Sequence, residues 1–455
     1  MEAACYRIRE VILVKKSKAY CANDVNKVDV AKLLAGKEGQ RPWIGMDIGK
    51  FHALVVLRWS AQHYERPWRV KNPGQIGEFL RVVKELSSGL KSGGGELAGV
   101  GLEPSGTYGD AFRQGLSDNG VPTYRVSPKA AHDYAEVFDG VPSQHDGKDA
   151  AVVAELCALG KGQRWPFRQD DEVGQELRYW VDRLDVQRRL AQIWQGRLEG
   201  RLGRHWPEVT RLLPTSGATL LKALAKYGGP QALSADTEAP RKLARFCWGR
   251  LTEQKIQEVI ASAQSSVGVR MTAWDQRRMK ELAEAALDTR KQMGRSRREL
   301  RRVTKDHAKI GAMAKVVGLP TACVLWVCCG DPGEYSCAAA YSKALGLNLA
   351  ERSSGTYQGK LKISKRGKSM SRRWLYFAAM RWVQDPLVRP WYERKKAKDQ
   401  TGMRALVAVM RKLSKAVYHV AGRGAAFEAA RLFPGIKAGK RAATTTSQAQ
   451  PAVAR

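Results

Sequence analysis

The sequence predicts an α/β domain followed by a mainly helical region. Three observations carry that prediction. Strand-length apolar runs up to about residue 126 give way to helical spacing from about residue 171. The runs come in the order strand, strand, strand, and then strand alternating with helix. The charge changes along the chain as the pattern does: of 455 residues, 78 are Lys or Arg and 44 are Asp or Glu, a net +34. Residues 41–160 carry 13 basic and 14 acidic side chains (−1), residues 161–310 carry 31 and 18 (+13), and residues 311–455 carry 26 and 7 (+19). Residues 1–40, with 8 and 5, add +3.

Taken in order, Trp43–Met46, Ala53–Leu57 and Trp68–Val70 are short apolar runs separated by polar turns, which predicts a three-strand meander. A helix is expected over Ile76–Leu86, then a loop containing Gly93, Gly94 and Gly95. Leu97–Leu102 follows as the fourth strand, Tyr108–Leu116 as a helix and Thr123–Val126 as the fifth strand. Helices are expected over Lys129–Val137 and from about Asp146 to Leu159. This is the order of an RNase H-like sheet, in which the first and fourth strands are neighbours.

Beyond it, Val173, Leu177, Trp180, Leu184, Ile193, Leu198 and Leu202 recur mostly at helical intervals, and a second long helix is expected from Trp274 to about His307. Pro207, Pro214, the Gly228-Gly229-Pro230 turn and Pro240 cut the stretch between them into short helices. The expectation is an antiparallel helical arm with an inserted cap; a plain helical bundle fits the spacing equally. The domains expected are an extension over 1–40, the α/β domain over 41–165, the arm over 166–310, a helical domain over 311–435 and a disordered tail over 436–455, small, polar and Ala-rich.

Composition narrows the function. With 44% hydrophobic residues the chain is neither wholly disordered nor a disulfide miniprotein. No apolar run approaches the ~20 residues of a membrane helix, and residues 1–40 lack a signal-peptide pattern. The eight cysteines include no CxxC pair, and Cys323, Cys328, Cys329 and Cys337 lie in or beside an apolar stretch that suits core packing in a reducing cytoplasm. So large a basic excess points to nucleic acid.

The neutral domain holds the candidate chemistry. Asp47 follows an apolar run in Ile44-Gly45-Met46-Asp47-Ile48-Gly49, and Glu103 ends the fourth strand in Gly101-Leu102-Glu103-Pro104. Asp146 and Asp149 stand three apart at a helix start, hence on one face. Four converging carboxylates make a hard oxygen site for one or two Mg²⁺, and two ions ~3.5–4 Å apart stabilise both the entering and leaving oxygens of a phosphodiester. The same Asp pair also suits a plain helix N-terminus, and Asp182 and Asp185 repeat the spacing where a solvated face is expected.

These residues carry a resemblance. MDIGK at 46–50, LEPSGTYG at 102–109 and the D-x-x-D-A of Asp146–Ala150 resemble the DEDD transposases of insertion sequences, the Piv/MooV-like recombinases of the insertion-sequence family numbered one hundred and ten. The likeness resumes at Val317–Cys329, Ala344–Gly359 and Ile363–Arg373. It implies a RuvC-like first domain, a coiled-coil arm and a mainly helical transposase domain. Its metal-binding tetrad falls on Asp47, Glu103, Asp146 and Asp149, with Mg²⁺ as cofactor, and its serine nucleophile on Ser354 of Arg352-Ser353-Ser354-Gly355. It further implies double-stranded DNA (element ends and target) as substrate, a structured bridge RNA as guide, and a dimer or tetramer in which one subunit's serine completes another's metal site, in the prokaryotic nucleoid. The chain departs from the family with Gln144-His145 before the first helical Asp, where the expectation is that His145 substitutes locally for the basic-polar lead, and with Gly318-Leu319-Pro320 in place of Gly-x-Gly.

A serine hydroxyl needs a base or a metal to become a nucleophile, and an acidic Mg²⁺ site supplies that without a histidine. Attack on a DNA phosphate conserves the bond as a phosphoserine ester. Lys360, Lys362, Lys365, Arg366, Lys368, Arg372 and Arg373 follow the serine at a density suited to phosphate contacts. Trp374, Phe377, Trp382, Trp391 and Tyr392 are interleaved at helical spacing, which favours core packing over base stacking. The competing readings are a RuvC-like nuclease or resolvase that hydrolyses with water, and a non-catalytic nucleic-acid-binding scaffold.

Overall fold

The computed structural model describes residues 22–433 except 62, 105, 141–145, 168–170, 352, 358, 360 and 400. Cys5, Cys21, most of the 1–40 extension, His145, Lys360 and the 436–455 tail lie outside the described residues. The chain divides into two units, Met1–Gln169 and Asp170–Arg455.

The first unit is a mixed sheet with helices. Its principal strands are β2 (Trp43–Ile48), β3 (His52–Ser60), β5 (Trp68–Lys71), β6 (Gly99–Leu102) and β7 (Thr123–Arg125). β2, β3 and β5 form the expected antiparallel meander, and β6 and β7 continue parallel from the other edge of β2, so the first and fourth expected strands are neighbours. Short strands complete the sheet: β1 (Asn23–Asp24) parallel on β5, β4 (His63–Tyr64) on β3 and β8 (Gln163–Arg164) antiparallel on β7. The extension is therefore an edge of the sheet. Its Val25 is fully buried, and its short helix α1 (Val30–Leu34) sets Leu34 against Gly89.

Alternation along β2 sorts the two faces. Ile44, Met46 and Ile48 join the core beneath α2 (Ile76–Ser92) and α3 (Asp110–Asp118), where Phe79, Leu86 and Phe112 are buried. Leu54 and Val56 of β3 face the other way, onto Ala150 and Ala151 of α5 (Asp146–Ala158). α4 (Pro128–Asp139) packs beside α5 through Ala131, Ala135, Val152 and Val153.

The second unit is largely helical. α6 (Glu172–His205) and α12 (Ala273–Val303) are antiparallel partners, tied in falling register by Glu176–Arg302, Gln187–Ser296, Trp194–Thr289 and Arg201–Asp275. Between them lie α7 (Val209–Leu212), α8 (Ala218–Tyr227), α9 (Pro230–Ser234), α10 (Ala239–Cys247) and α11 (Glu253–Gln264), which share one core around Trp206, Leu220 and Leu224. The remaining core gathers α13 (Ala308–Val317), α14 (Leu319–Cys329), α15 (Ala338–Ala344), α16 (Ser369–Trp382), α17 (Arg389–Asp399), α18 (Gly402–Val417) and α19 (Ala429–Leu432), with a small ribbon of β9 (Leu349–Ala350) and β10 (Lys362–Ile363). Trp374, Trp391 and Cys323 are buried there, so core packing accounts for them. Among the described residues no helix is long and apolar enough to cross a membrane.

Candidate active site

Two short sequences do parallel work in the sheet. In Gly45-Met46-Asp47 and Gly101-Leu102-Glu103 a glycine precedes an acid by two residues. Gly45 and Gly101 are register partners across β2 and β6, and period two puts each acid on its glycine's face. That face is covered by α5. A Cβ on Gly45 would sit 2.1 Å from the Ala150 carbonyl oxygen, and one on Gly101 would sit 2.4 Å from Cys157 Sγ. Paired glycines thus let α5 lie against the backbone. One pleat further along, Asp47 and Glu103 stand at the start of that helix, where Asp146 and Asp149 occupy the first turn.

The electrostatics follow from that crowding. Burial pushes the Asp47 carboxyl up to about 6, reinforced by the charges of Asp146 and Asp149 and opposed by His52 and the Ile48 N–H. Glu103 is pushed up to about 7, first by burial and then by Asp47 and Asp149. All four predicted carboxylates therefore lie within electrostatic reach of one another's neighbours at the start of α5, Asp47 sensing Asp146 and Asp149, and Glu103 sensing Asp47 and Asp149. His52 Nε2 stands 3.5 Å from the exposed Asp146 Oδ2.

Helix α5 is fixed at both ends by groups that sequence reasoning passed over. Lys148, between the two aspartates, is 1% exposed and pairs with Asp139 of α4 at 2.7 Å. Glu155 accepts from Arg58 and Tyr64 of the neighbouring strands, a largely buried clamp. The strand glycines were the legible signal. Lys148, His52 and the Glu155 clamp have no local signature, because their partners lie far away in sequence.

Among the described residues no group of three or more His, Cys, Asp or Glu side chains is placed so that it could hold a metal ion. The donor chemistry of the four acids is nevertheless of the hard kind a divalent cation takes. It is all oxygen, and a cation would offset the burial and the repulsion that lift Asp47 and Glu103.

Ser354 lies in the second unit, in a tight turn closed by paired backbone bonds with Tyr357 at 3.1 and 3.0 Å. Gly355, at φ 55°, supplies the left-handed residue this turn needs. The two serines are unlike. Ser353 Oγ donates to Glu351 Oε1 at 2.7 Å and accepts from the Gly359 N–H at 3.0 Å. The Ser354 hydroxyl is exposed and has no hydrogen-bond partner among the described residues.

The basic residues after the serine separate as well. Lys362, Lys365, Arg366 and Lys368 are exposed. Arg372 donates to the Gly367 carbonyl at 2.8 Å, and Arg373 holds both oxygens of Asp185 at 2.8 and 2.7 Å. Asp185 is 3% exposed and also accepts from Trp374, so the solvated face expected for it is corrected: it is a buried tie between α6 and α16.

Comparison with known proteins bears on this second unit first. Residues 313–393, which include Ser354, match the family described as Transposase IS116/IS110/IS902 family. The chain is 24% identical over 301 residues to the insertion element IS110 uncharacterized 43.6 kDa protein of Streptomyces coelicolor, covering 65% of this chain and 74% of that one. Among solved structures it is similar to T. thermophilus RuvC in complex with Holliday junction substrate, at 14% identity and a TM-score of 0.22, over 28% of this chain and 99% of that one. The sequence matches make the chain similar to insertion-sequence transposases, through residues 313–393 above all. Within that class, its resemblance is to the IS110-type family.

Proposed function

We propose that the chain is a DNA transposase or recombinase that cuts and rejoins strands through Ser354, with Mg²⁺ held by Asp47, Glu103, Asp146 and Asp149. The observation that carries the reading is the pair of register-matched Gly-x-acid strands facing the acidic first turn of α5. The strand order supports reading the first unit as RNase H-like, in the RuvC-like manner the resemblance implies, and the α6–α12 pair as its coiled-coil arm.

The chemistry balances without another reactant. Ser354 Oγ forms a bond to phosphorus as one strand P–O bond breaks. The serine proton is lost, and the released strand oxygen takes one up. A hydroxyl of a different strand then attacks the phosphoserine ester, restoring a phosphodiester and the serine. Mg²⁺, when bound, polarises the phosphate and offsets the charge of the carboxylates. Ser353, held by Glu351 and Gly359, fixes the turn, leaving the neighbouring hydroxyl to react. Lys362, Lys365, Arg366 and Lys368 hold strand phosphates, and Lys360, Arg372 and Arg373 complete the predicted basic set. Guide RNA, an oligomer with composite active sites and residence at the nucleoid are proposed on the family resemblance.

The test is an incubation of protein, Mg²⁺, DNA of the element's ends and RNA transcribed from its flanks, resolved in SDS. An SDS-stable protein–DNA adduct is expected. An adduct that persists in Ser354→Ala overturns the serine, and cleavage without any adduct points to hydrolysis by water.

A further inference from the structure

The second unit carries a charge cluster that this chemistry leaves unused. Ser296 Oγ on α12 donates to Gln187 Oε1 on α6 at 2.9 Å, which puts the next residues, Arg297 and Arg188, at one level of the helix pair. α16 crosses at the same level. Its Trp374 Nε1 donates to Asp185 at 2.8 Å, and the Arg188 guanidinium lies 4.3 Å from the centroid of the Phe377 ring. Arg381, one turn beyond Phe377, donates Nη2 to the Val317 carbonyl at 2.6 Å.

Three helices thus bring three guanidiniums near one crossing, within electrostatic range of one another. Partial loss of solvation lowers the pKa of each, and next in order come like charges: Arg297 and Arg381 act on Arg188, Arg297 acts on Arg381, and Arg290 acts on Arg297. Among the described residues no carboxylate forms an ion pair with any of the three. Of the acids nearby, Asp185 is spent on Arg373, Trp374 and Arg189, while Asp385 accepts from the Leu387 N–H and makes no ion pair with Arg381. Asp385 does share with Arg381 the wall of a cavity of about 260 Å³. Arg188 Nε is buried with no partner, while Arg297 and Arg381 reach solvent.

Assembling three like charges with no ion-paired carboxylate opposes folding, so the cluster gains when an anion arrives. Guanidinium forks match phosphate oxygens two at a time, and two exposed forks beside a third that is partly buried suit a polymer passing over them. We propose that Arg188, Arg297 and Arg381 bind a backbone phosphate of a nucleic acid where α6, α12 and α16 cross. The polymer's identity rests on the nucleic-acid reading of the chain; the demand for an anion does not.

Arg297 decides the matter. It is exposed and makes no hydrogen bond among the described residues, so its loss leaves no hole. The full chain is titrated against random-sequence duplex DNA and against single-stranded RNA by fluorescence anisotropy, in EDTA and over a range of NaCl. Because metal and Ser354 play no part, failure of strand transfer leaves this result standing, and the reverse holds too. Arg297→Gln is expected to raise Tm by a few degrees through relief of repulsion. It should also weaken binding several-fold and flatten the log–log salt slope by about 0.9 for the lost phosphate contact. Arg277→Gln, on the same helix but already paired with Glu281, makes the same change in net charge and is expected to leave the slope unchanged. An effect on DNA alone assigns the phosphate to DNA, and one on RNA alone assigns it to RNA. Equal slopes for the two variants, or a lower Tm in Arg297→Gln with binding unchanged, overturn the proposal.

Discussion

The two units each hold a cluster of like charges, and the clusters are built differently. In the first, strand period and one helix turn gather Asp47, Glu103, Asp146 and Asp149 at the end of β2, just past β6 and in the first turn of α5. In the second, side-chain packing between long helices gathers Arg188, Arg297 and Arg381. The acids are placed by short-range rules and the arginines by the meeting of distant segments. Both arrangements carry repulsion when empty, and the proposals give each a ligand of the opposite sign: a cation for one, a phosphate for the other.

The largest expected effect separates chemistry from charge. Ser354→Ala is expected to lower strand joining by more than about 10³-fold while leaving DNA affinity unchanged, as for loss of a nucleophile. Ser353→Ala, which only frees the turn, should cost far less. Quantifying joined product and anisotropy on the same preparations checks this; equal losses for the two serines would remove the distinction drawn between them.

Next come the supports of α5. Glu155→Gln leaves Arg58, 12% exposed at its side chain, without its buried counter-charge. It is expected to cost about 3 kcal/mol in urea unfolding. Gly45→Ala drives a methyl into the Ala150 carbonyl and is expected to cost about 2 kcal/mol and to lower activity further than stability explains, because α5 carries two of the acids. A Gly45→Ala protein with wild-type Tm would show that α5 does not rest on this glycine pair.

The smallest effect tests the sign of the acidic cluster. Asp47 is held above its ordinary 3.8, at about 6, so the folded state favours its proton. That contribution is fully present below about pH 3.8 and is lost as pH rises through about 6. Asp47→Asn removes the loss. Without metal, the variant is expected to gain stability over wild type between about pH 4 and pH 7, by at most about 3 kcal/mol. Mg²⁺ should shrink that gap at pH 7.5 by stabilising the wild type alone. A constant difference across pH, followed by thermal unfolding, would contradict it.

Much of the first unit was legible because its signals are local. The five principal strands lie where apolar runs between polar turns put them, and the acids follow from their strand ends and helix start. The end of α2 was not: it runs to Ser92, past the expected Leu86, because Leu90 is buried in the core and outweighs the nearby glycines. The extension was opaque as well, since two residues pairing with β5 have no periodicity to read.

By itself, then, the sequence determined the order of strands and helices, the division of charge and the choice of four acids as candidates. Each depends on residues within a few positions of one another. Only the tertiary structure decided that Asp185 is buried, that Ser353 and Ser354 differ in their bonds, that two glycines seat α5, and that three arginines meet without an ion-paired carboxylate. Those facts depend on which distant side chains share a volume, and a charge's meaning is set by what lies within a few ångströms of it in space.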